Sequence, residues 1–486
     1  MRVNRRDFIR RSLSAALGGA SLYSAFGNLR LVEAAARQNR YAFTDYKALV
    51  CIFLYGGNDS FNTVMPYDAS HYALYRGSRN GLVSQGGLAL DQAAIQAQSL
   101  SPLAAAGGLP GGLPSDGGSY GLHPAMAPIR GLFNSGKAAV VANVGTLLYP
   151  ITQAQYQNGG VATPPQLFSH EDQAGYWQTS RADDANSNGW GGRIADLLYS
   201  SNAGLLPMSI SLSGENRFQR GGIINQYSMS SDGVAKMHYL GDGDESWIQG
   251  DNPSGIVAYN KLIQEGTQAH VLERAFATSA GSAIDNYEII SGALDGSPPL
   301  TTEFPDTDLG RQLGMVARLI KIRAALGMSR QVFFVAAGGY DTHGTQITDH
   351  QSLLAEFAGA TKAFYDATVE LALADSVTAF TASDFGRSLA VNGDGTDHGW
   401  GGHHFVVGGA VRGQRIYGTM PSLAQNTDSN PNANPDDTGY GQIIPTTAVD
   451  QYAATLASWF GVDSGGIGDI FPNLGRFAAP NLRFLG

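Results

Sequence analysis

The sequence has one cysteine, Cys51, and little charge. A single cysteine excludes an internal disulfide and a cysteine-based metal site. Charged residues make up 15% of the chain, and acidic residues outnumber basic ones to give a formal net charge of −10. That balance argues against binding to a nucleic-acid backbone as the main role. No stretch after the first 36 residues is apolar and long enough to cross a membrane, so we expect no stable membrane span.

Glycine, by contrast, is abundant, with 63 in 486 residues, and 43% of the chain is hydrophobic. A chain of this length and composition can bury a large core. The many glycines indicate numerous loops and close approaches of backbone segments. Cys51 lies inside an apolar run, so we expect it to be a small core residue.

The first 36 residues have the pattern of an export signal. Residues 4–10 read NRRDFIR, residues 12–26 are weakly apolar, and residues 34–36 are alanines of the kind that a signal peptidase cleaves beside. The sequence therefore predicts a twin-arginine signal peptide over residues 1–36. We expect the Tat translocase to be a partner during export and the mature protein to be periplasmic or extracellular.

Apolar runs typical of buried strands alternate with helical patterns along the rest of the chain, which is the rhythm of a parallel sheet covered by helices. The runs cover residues 48–55, 138–144, 332–337, 377–382 and 405–411. The helical patterns cover residues 124–135, 309–326, 350–373 and 449–460. We expect an α/β three-layer sandwich with a mostly parallel central sheet, formed as one domain over residues 37–486. Loop-rich excursions at 85–119 and 426–441 and an insertion at about 189–279 complete the prediction.

Acidic and histidine residues follow two of these strands. Asp341 and His343 come after the run at 332–337, and Asp384 comes after the run at 377–382, with Asp397 and His398 a little further on. Open α/β sheets bind ligands beyond the carboxyl ends of their strands. Carboxylate oxygen and imidazole nitrogen are ligands of zinc, manganese or iron, so this edge is a predicted metal site. A hydrogen-bonded loop clasp between His343 and Asp341 is the alternative.

Two further groups fall near the same edge. Asp59 follows the first strand in the segment GGND, where it could join the other acids or simply close an Asx turn. Arg387 follows Asp384 by three residues and could hold an anion or pair with that acid.

Ser169 begins a predicted helix that extends through Trp177. With Asp172 three residues on, it has the pattern of a helix cap, and this role needs no catalysis. A hydroxyl at a helix N-terminus near cations could instead act as a nucleophile. Both roles remain open from the sequence.

At these motifs the chain resembles the Tat-exported bacterial family known as domain of unknown function 1501. The resemblance covers nearly the whole mature chain. The motifs that carry it are GGND with Asn62, Ser169-His170 with Gln173, GYDTH at 339–343, SDFGR at 383–387, DHGWG at 397–401 and FPNL at 471–474.

That family looks allied to the alkaline phosphatase and sulfatase superfamily, which implies an alkaline phosphatase-like fold and a metal-dependent hydrolase of phosphate or sulfate esters. The implied cofactors are divalent metal ions such as zinc, manganese or calcium, and the implied substrate is an anionic small-molecule or polymer ester. The implied residues are Asp59 and Asp384 for one ion, Asp341, His343 and His398 for the other, and Ser169, His170 and Arg387 as catalytic groups.

This chain has Phe385 where the superfamily usually has a histidine. It also places Asp341 and His343 closer together than is usual there. The alternative function is a non-catalytic envelope protein that binds a partner on a hydrolase-like scaffold.

Overall fold

The computed structural model describes residues 41–105, 108, 110–184, 186–202, 206–224, 226–234 and 270–486. The predicted signal peptide lies outside the described residues, as do residues 235–269 of the predicted insertion. Among the described helices, none has the length and apolarity needed to cross a bilayer.

The strands of the described residues include eight-residue central strands and several short ones. They are β1 (Lys47–Leu54), β2 (Val64–Pro66), β3 (Tyr120–Leu122), β4 (Ala138–Gly145), β5 (Ser209–Ser211), β6 (Tyr227–Ser228), β7 (Arg330–Ala337), β8 (Val377–Ser383), β9 (Arg387–Asn392), β10 (Gly395–His398), β11 (Gly402–Gly408), β12 (Ile416–Tyr417) and β13 (Thr447–Ala448).

The α-helices of the described residues range from one turn to 25 residues. They are α1 (Ala69–Ser78), α2 (Gln92–Gln96), α3 (Ala127–Asn134), α4 (Gln153–Gln157), α5 (His170–Thr179), α6 (Trp190–Leu197), α7 (Val271–Asp295), α8 (Asp308–Lys321), α9 (Gln346–Glu370), α10 (Val449–Phe460) and α11 (Ser464–Ile470).

Nine of these strands form one central sheet in the order β12-β4-β11-β8-β1-β7-β5-β6, with β13 also paired to β4. The pairs β1–β7, β1–β8, β5–β7, β5–β6, β4–β12 and β4–β13 are parallel, whereas β11 runs antiparallel to both β4 and β8. The prediction of a mostly parallel sheet is therefore confirmed. Strands β5 and β6 belong to the segment that was predicted as an insertion, and they extend one side of this sheet.

Helices cover both faces of the sheet. Along β1, Val50 and Ile52 join a core cluster with α3, α8 and α9, while Cys51 and Phe53 join a second cluster with α5, α6 and α10. Successive side chains of a strand point to opposite faces, so a continuous apolar run is what two covered faces require. The arrangement is the three-layer α/β sandwich that the sequence predicts, and Cys51 is buried in it as expected.

One strand differs from its prediction. The run predicted at residues 405–411 is β11 at Gly402–Gly408, because His403 and His404 enter the sheet instead of the preceding loop. His404 pairs with Val141 of β4, and both histidines are buried. The antiparallel pairing with β4 supplies partners that the local sequence does not reveal.

The ends of three neighbouring strands are level. Leu54 at the end of β1 lies opposite Ala337 of β7 and opposite Ser383 of β8. The residues that follow these strands therefore emerge at one edge of the sheet, where the predicted site residues lie.

Candidate functional site

Gly56 joins the ends of the three central strands. Its backbone N–H donates a 2.9 Å hydrogen bond to Oδ2 of Asp384, and a Cβ on Gly56 would overlap the backbone nitrogen of Asp341. Its φ of +114° lies in the region that favours glycine. Glycine at this position therefore lets the segments that carry Asp341 and Asp384 approach each other closely.

Four side chains converge just beyond this edge and form what we call the His–Asp cluster: His170, Asp341, His343 and His398. The Nε2 atom of His398 lies 3.0 Å from Nε2 of His170 and 3.0 Å from Nε2 of His343. Asp341 contributes both oxygens. Its Oδ1 lies 3.0 Å from His343 Nε2 and 3.2 Å from His398 Nε2, while Oδ2 lies 3.4 Å from His170 Nε2.

Each imidazole of the His–Asp cluster has an acceptor at its other nitrogen. His170 Nδ1 lies 2.7 Å from Asp384 Oδ2, and His398 Nδ1 lies 2.7 Å from the carbonyl oxygen of Phe168. His343 Nδ1 lies 3.4 Å from Asp397 Oδ1. Metal-binding histidines in proteins are held in this way by a carboxylate or a carbonyl oxygen.

These acceptors fix where the protons of the imidazoles lie. A carbonyl oxygen can only accept, so Nδ1 of His398 carries the proton and, in the neutral ring, Nε2 presents a lone pair. The same argument applies to His170, whose Nδ1 donates to Asp384. Facing lone pairs and a carboxylate repel one another unless a positive charge, either a proton or a cation, lies among them.

The contacts of the cluster shift the pKa values of its members. The hydrogen bond with Asp384 raises the pKa of His170 above its usual value, more than burial lowers it. Burial lowers the pKa of His398, although its bond to the Phe168 carbonyl acts in the opposite direction. Burial alone would raise the pKa of Asp341, but the hydrogen bond and charge of Arg387 together lower it, so this carboxylate stays ionised.

The donor set fits a transition-metal ion. Metal–ligand bonds of about 2.0–2.2 Å place neighbouring ligand atoms about 3–3.5 Å apart. His398 and Asp341 lie 3.0–3.4 Å from His170, from His343 and from each other. Within the described residues, His170, Asp341 and His398 form the group whose ligand atoms all lie within 4.8 Å of one another, and His343 is not part of that group. Imidazole nitrogen suits zinc, iron or manganese better than calcium, which prefers oxygen ligands. Calcium is therefore the least suitable of the predicted ions.

Asp384 lies behind the His–Asp cluster and does not face it directly. Its Oδ2 accepts from Gly56 N–H and contacts His170, whereas its Oδ1 is buried and has no hydrogen-bond partner among the described residues. The structure thus makes Asp384 the group that orients His170.

Arg387 has different partners from the two that the sequence suggested, a bound anion or Asp384. Its side chain is fully buried, and its Nη1 donates to Asp341 Oδ1 at 2.5 Å and to Gly56 O at 3.2 Å. The remaining nitrogens donate to Thr396. Arg387 therefore pairs with Asp341 and not with Asp384, and its protein contacts leave no nitrogen directed at a substrate.

Asp59 is not part of the His–Asp cluster. It is completely buried and forms a 2.6 Å ion pair with Arg79, whose side chain is equally buried. The same carboxylate accepts from the backbone N–H of Phe61 and from the side chain of Gln346. Donors of the protein thus occupy both oxygens, and the predicted convergence of Asp59 with the acids of the other strand ends does not occur.

Ser169 caps α5, directly before His170. Its hydroxyl donates a 2.6 Å hydrogen bond to Asp172 Oδ2 and accepts from the backbone N–H of Asp172. The cap pattern in the sequence is therefore present in the structure. No described contact joins the hydroxyl to the His–Asp cluster.

Phe385 forms one wall of the site. Its ring lies 4.8 Å from the ring of His170 and 4.7 Å from that of His398, measured between centroids. An aromatic side chain thus occupies the space beside the cluster. Among the described residues, one group of histidine and acidic side chains is spaced closely enough to hold an ion.

Sequence reasoning missed two groups that hold the site together. The Phe168 carbonyl that accepts from His398 is a backbone atom and leaves no signal in the sequence. Asp397, which lies near His343, directly precedes the predicted ligand His398 in the sequence, and an acid in that position is a recognisable partner for a histidine. His403 and His404, by contrast, are buried in β11, and burial lowers their pKa values to about 4 and about 3.

The amino-acid sequence matches the model of one protein family. Residues 46–439 match the family model described as Protein of unknown function (DUF1501), as the motifs predicted. No curated protein matches the chain.

The chain also has weak similarity to solved structures. One is Ps i-CgsB in complex with k-i-k-neocarrahexaose, with 8% identity and a TM-score of 0.33 over 87% of this chain and 74% of that one. Another is BT1596, a 2-O GAG sulfatase, with 9% identity and a TM-score of 0.29 over 88% of this chain and 74% of that one. Similarity at this level does not bear on the reaction. The family model covers most of the chain, and the protein belongs to the DUF1501 family.

Proposed function

We propose that this protein is a metal-dependent hydrolase with a single ion bound by the His–Asp cluster. The observation that carries the proposal is the convergence of His170, His398 and Asp341, with His343 3.0 Å from His398 and an acceptor beside the Nδ1 atom of each imidazole. Loop histidines that serve only as surface groups do not need such oriented partners.

The side chains of the cluster have distinct parts in this proposal. A divalent ion supplies Lewis-acid polarisation of the substrate and a lowered pKa for water. His170, His398 and Asp341 would hold it, with His343 beside them, and Asp384 keeps the Nε2 lone pair of His170 directed toward that position. Arg387 keeps Asp341 ionised and fixed in place.

Phosphate or sulfate esters are the substrate class that we propose, on the strength of the family motifs. Arg387 is buried against Asp341 and is therefore not placed to hold an anion. We therefore propose that water is the nucleophile, that a bound ion would supply the positive charge beside the anionic group of the ester, and that Ser169 serves as the cap of α5.

The test is metal content together with turnover. Protein purified from its native compartment should contain about one zinc, iron or manganese ion per chain and hydrolyse a chromogenic phosphate or sulfate ester. Asp341→Asn and His398→Ala should lose both the ion and turnover. Metal-free wild-type protein that binds none of these ions on titration would refute the proposal.

His71→Ala is the matched control. His71 also lies between two carboxylates, 2.8 Å from Asp68 and 3.5 Å from Asp116, but these belong to a separate part of the fold. Its replacement should change neither metal content nor turnover. An equal loss in this variant would show that the assay reports general destabilisation.

A non-catalytic binding protein is the second candidate. The observation that favours it is that the Ser169 hydroxyl is bonded to Asp172 and the Arg387 guanidinium to Asp341, Gly56 and Thr396, so neither group is directed at a substrate. Stoichiometric metal with no turnover of any phosphate or sulfate ester would support this candidate over the first.

We also propose export by the twin-arginine pathway, on the pattern in residues 4–36. Replacement of Arg5 and Arg6 by lysine should retain the protein in the cytoplasm in cell fractionation. Unchanged export would contradict the proposal, and the wild-type chain in a Tat-deficient strain is the control.

A further inference from the structure

Asp59 lies outside the His–Asp cluster, yet a chain of hydrogen bonds connects it to Asp341. Gln346, the first residue of α9, donates from Nε2 to Asp59 Oδ2 at 2.5 Å. Oε1 of the same amide accepts from the hydroxyl of Thr396 at 2.7 Å. That hydroxyl accepts from Nε of Arg387 at 3.3 Å, and Arg387 pairs with Asp341. We call Asp59, Gln346, Thr396 and Arg387 the buried network.

The buried network is closed to solvent. Each of its four side chains belongs to a residue with none of its surface exposed. Buried polar groups need hydrogen-bond partners, and their bonds are stronger in a medium of low dielectric constant than in water. The orientation of each side chain therefore depends on its neighbours in the network.

Asp59 sets the direction of these bonds. As the ion-pair partner of Arg79 it is a carboxylate, which can only accept, so it requires the NH2 end of the Gln346 amide. Oε1 of that amide then faces Thr396, whose hydroxyl donates its one proton to it. The hydroxyl presents its lone pairs to Arg387, and a guanidinium can only donate. The donors and acceptors of the network therefore match throughout.

A reversed amide would disturb the network at both ends. Oε1 of Gln346 would face the carboxylate of Asp59, and two acceptors would meet without a proton between them. The hydroxyl of Thr396 would receive a second donor and lose the acceptor of its own proton. Each buried group without a partner carries a desolvation penalty, so the observed orientation of the amide is favoured.

Arg387 extends this arrangement to the cluster. Its Nη2 donates to the carbonyl oxygen of Thr396, while its Nε donates to the hydroxyl of the same residue. Two bonds to one residue fix the plane of the guanidinium, and Nη1 then donates to Asp341 Oδ1. That oxygen is the one that lies 3.2 Å from His398 Nε2. Its position therefore depends on Thr396 and, one bond further, on Gln346.

We propose that Gln346 is a positioning residue of the site, through which Asp59 orients Arg387. The Gln346 amide holds the hydroxyl of Thr396. Thr396 holds Arg387 so that its guanidinium directs Asp341 toward the His–Asp cluster. Outer partners of metal ligands set metal affinity in this way. The proposal rests on the proposed function in taking the cluster as a metal site, and it gives Asp59 a part in that site although its carboxylate is not a member of the cluster.

Gln346→Met tests the proposal, because methionine fills a similar volume and forms neither hydrogen bond. NMR spectra of the imidazole nitrogens in histidine-labelled, metal-free protein report the surroundings of each ring. The signals of His343 and His398, which both contact Asp341, should shift in this variant. Its affinity for zinc ion alone, measured by competition with a chelator, should fall about 10-fold.

Gln219→Met is the matched control. Gln219 is as completely buried as Gln346, but its amide donates to carbonyl oxygens of β5 and β7. Its replacement removes buried hydrogen bonds of the same kind at another place in the fold. We expect the imidazole signals of the cluster and the zinc affinity to stay as in the wild type.

Thr396 offers a second pair of variants at the next bond. Thr396→Val removes the hydroxyl and keeps the shape of the side chain, so it should reproduce both the shifted signals and the lower zinc affinity. Thr396→Ser keeps the hydroxyl and should retain the wild-type signals. The double variant Gln346→Met/Thr396→Val should lose no more affinity than either single variant, because both changes interrupt the same network.

Unchanged imidazole signals in both Gln346→Met and Thr396→Val would overturn the proposal, and so would equal shifts in Gln219→Met. The signals are recorded without metal, which separates the proposal from the proposed hydrolysis. Shifted signals in a protein that binds no zinc support the buried network and refute only the hydrolase. An active zinc enzyme in which Gln346→Met changes neither signals nor affinity refutes only the positioning role.

Discussion

Asp450 gives the protein a pH-dependent stability that one substitution should remove. It is the second residue of α10, is 3% exposed, and has one carboxylate oxygen without a hydrogen-bond partner among the described residues. Burial raises its pKa from 3.8 to about 7, although Ser180 and the charge of Arg193 act in the opposite direction. Between pH 3.8 and about 7 the folded protein therefore keeps a proton on Asp450 that the unfolded chain releases.

The sign and size of the effect follow from proton linkage. Below pH 3.8 Asp450 is protonated in both the folded and the unfolded state, so its burial causes no pH-dependent loss of stability. Between pH 3.8 and 7 the folded state binds more protons than the unfolded chain, so the free energy of unfolding falls as pH rises. The penalty is complete above pH 7. A shift of roughly three pKa units corresponds to about 4 kcal/mol at most, and about 3 kcal/mol of it develops between pH 5 and pH 8.

Asp450→Asn should remove this dependence, because an amide does not titrate. The free energy of unfolding of the variant minus that of the wild type should be about 3 kcal/mol larger at pH 8 than at pH 5, as measured by urea denaturation. Asp428→Asn, at an exposed acid, is the control and should leave the difference unchanged. A stability difference between wild type and Asp450→Asn that is equal at the two pH values would refute the reasoning.

Three further predictions concern the site. Asp397→Ala should weaken metal binding about 10- to 100-fold by freeing His343, measured by competition with a chelator; unchanged affinity contradicts it. Gly56→Ala should abolish metal binding with the sheet intact by circular dichroism, because its Cβ displaces Asp341; retained metal would show that the turn adapts. Ser169→Ala should cost about 1 kcal/mol of stability in urea denaturation through the lost cap, while a turnover loss above about 100-fold would establish Ser169 as the nucleophile instead.

Some elements could be predicted closely because one local pattern decides them. The run at 48–55 is β1 at Lys47–Leu54, and the pattern at 449–460 is α10 at Val449–Phe460. Continuous apolar strands and amphipathic helices show their burial in their own residues. β11 was misplaced by three residues because its polar start gains strand structure only from pairing with β4 and β8.

Part of the site could also be predicted from local patterns in the sequence. Asp341, His343 and His398 were expected together because they follow strands or their ends, and the structure brings them together. Asp59 was expected with them on equal grounds. Its placement depends on Arg79, a residue of α1's C-terminal flank whose charge is buried against it, and no spacing in the sequence specifies that pair.

The α/β sandwich, the sheet edge at which acids and histidines gather, and the family could all be predicted before the fold was known. They depend on periodicity and on short motifs, which are local properties of the chain. Which of the acids and histidines lie together depends instead on packing between distant segments. Gly56 allows the segments of Asp341 and Asp384 to lie close together, and α5 places His170 beside them. Arg387 forms an ion pair with Asp341, and Arg79 forms one with Asp59, because a buried charge needs a partner of opposite charge.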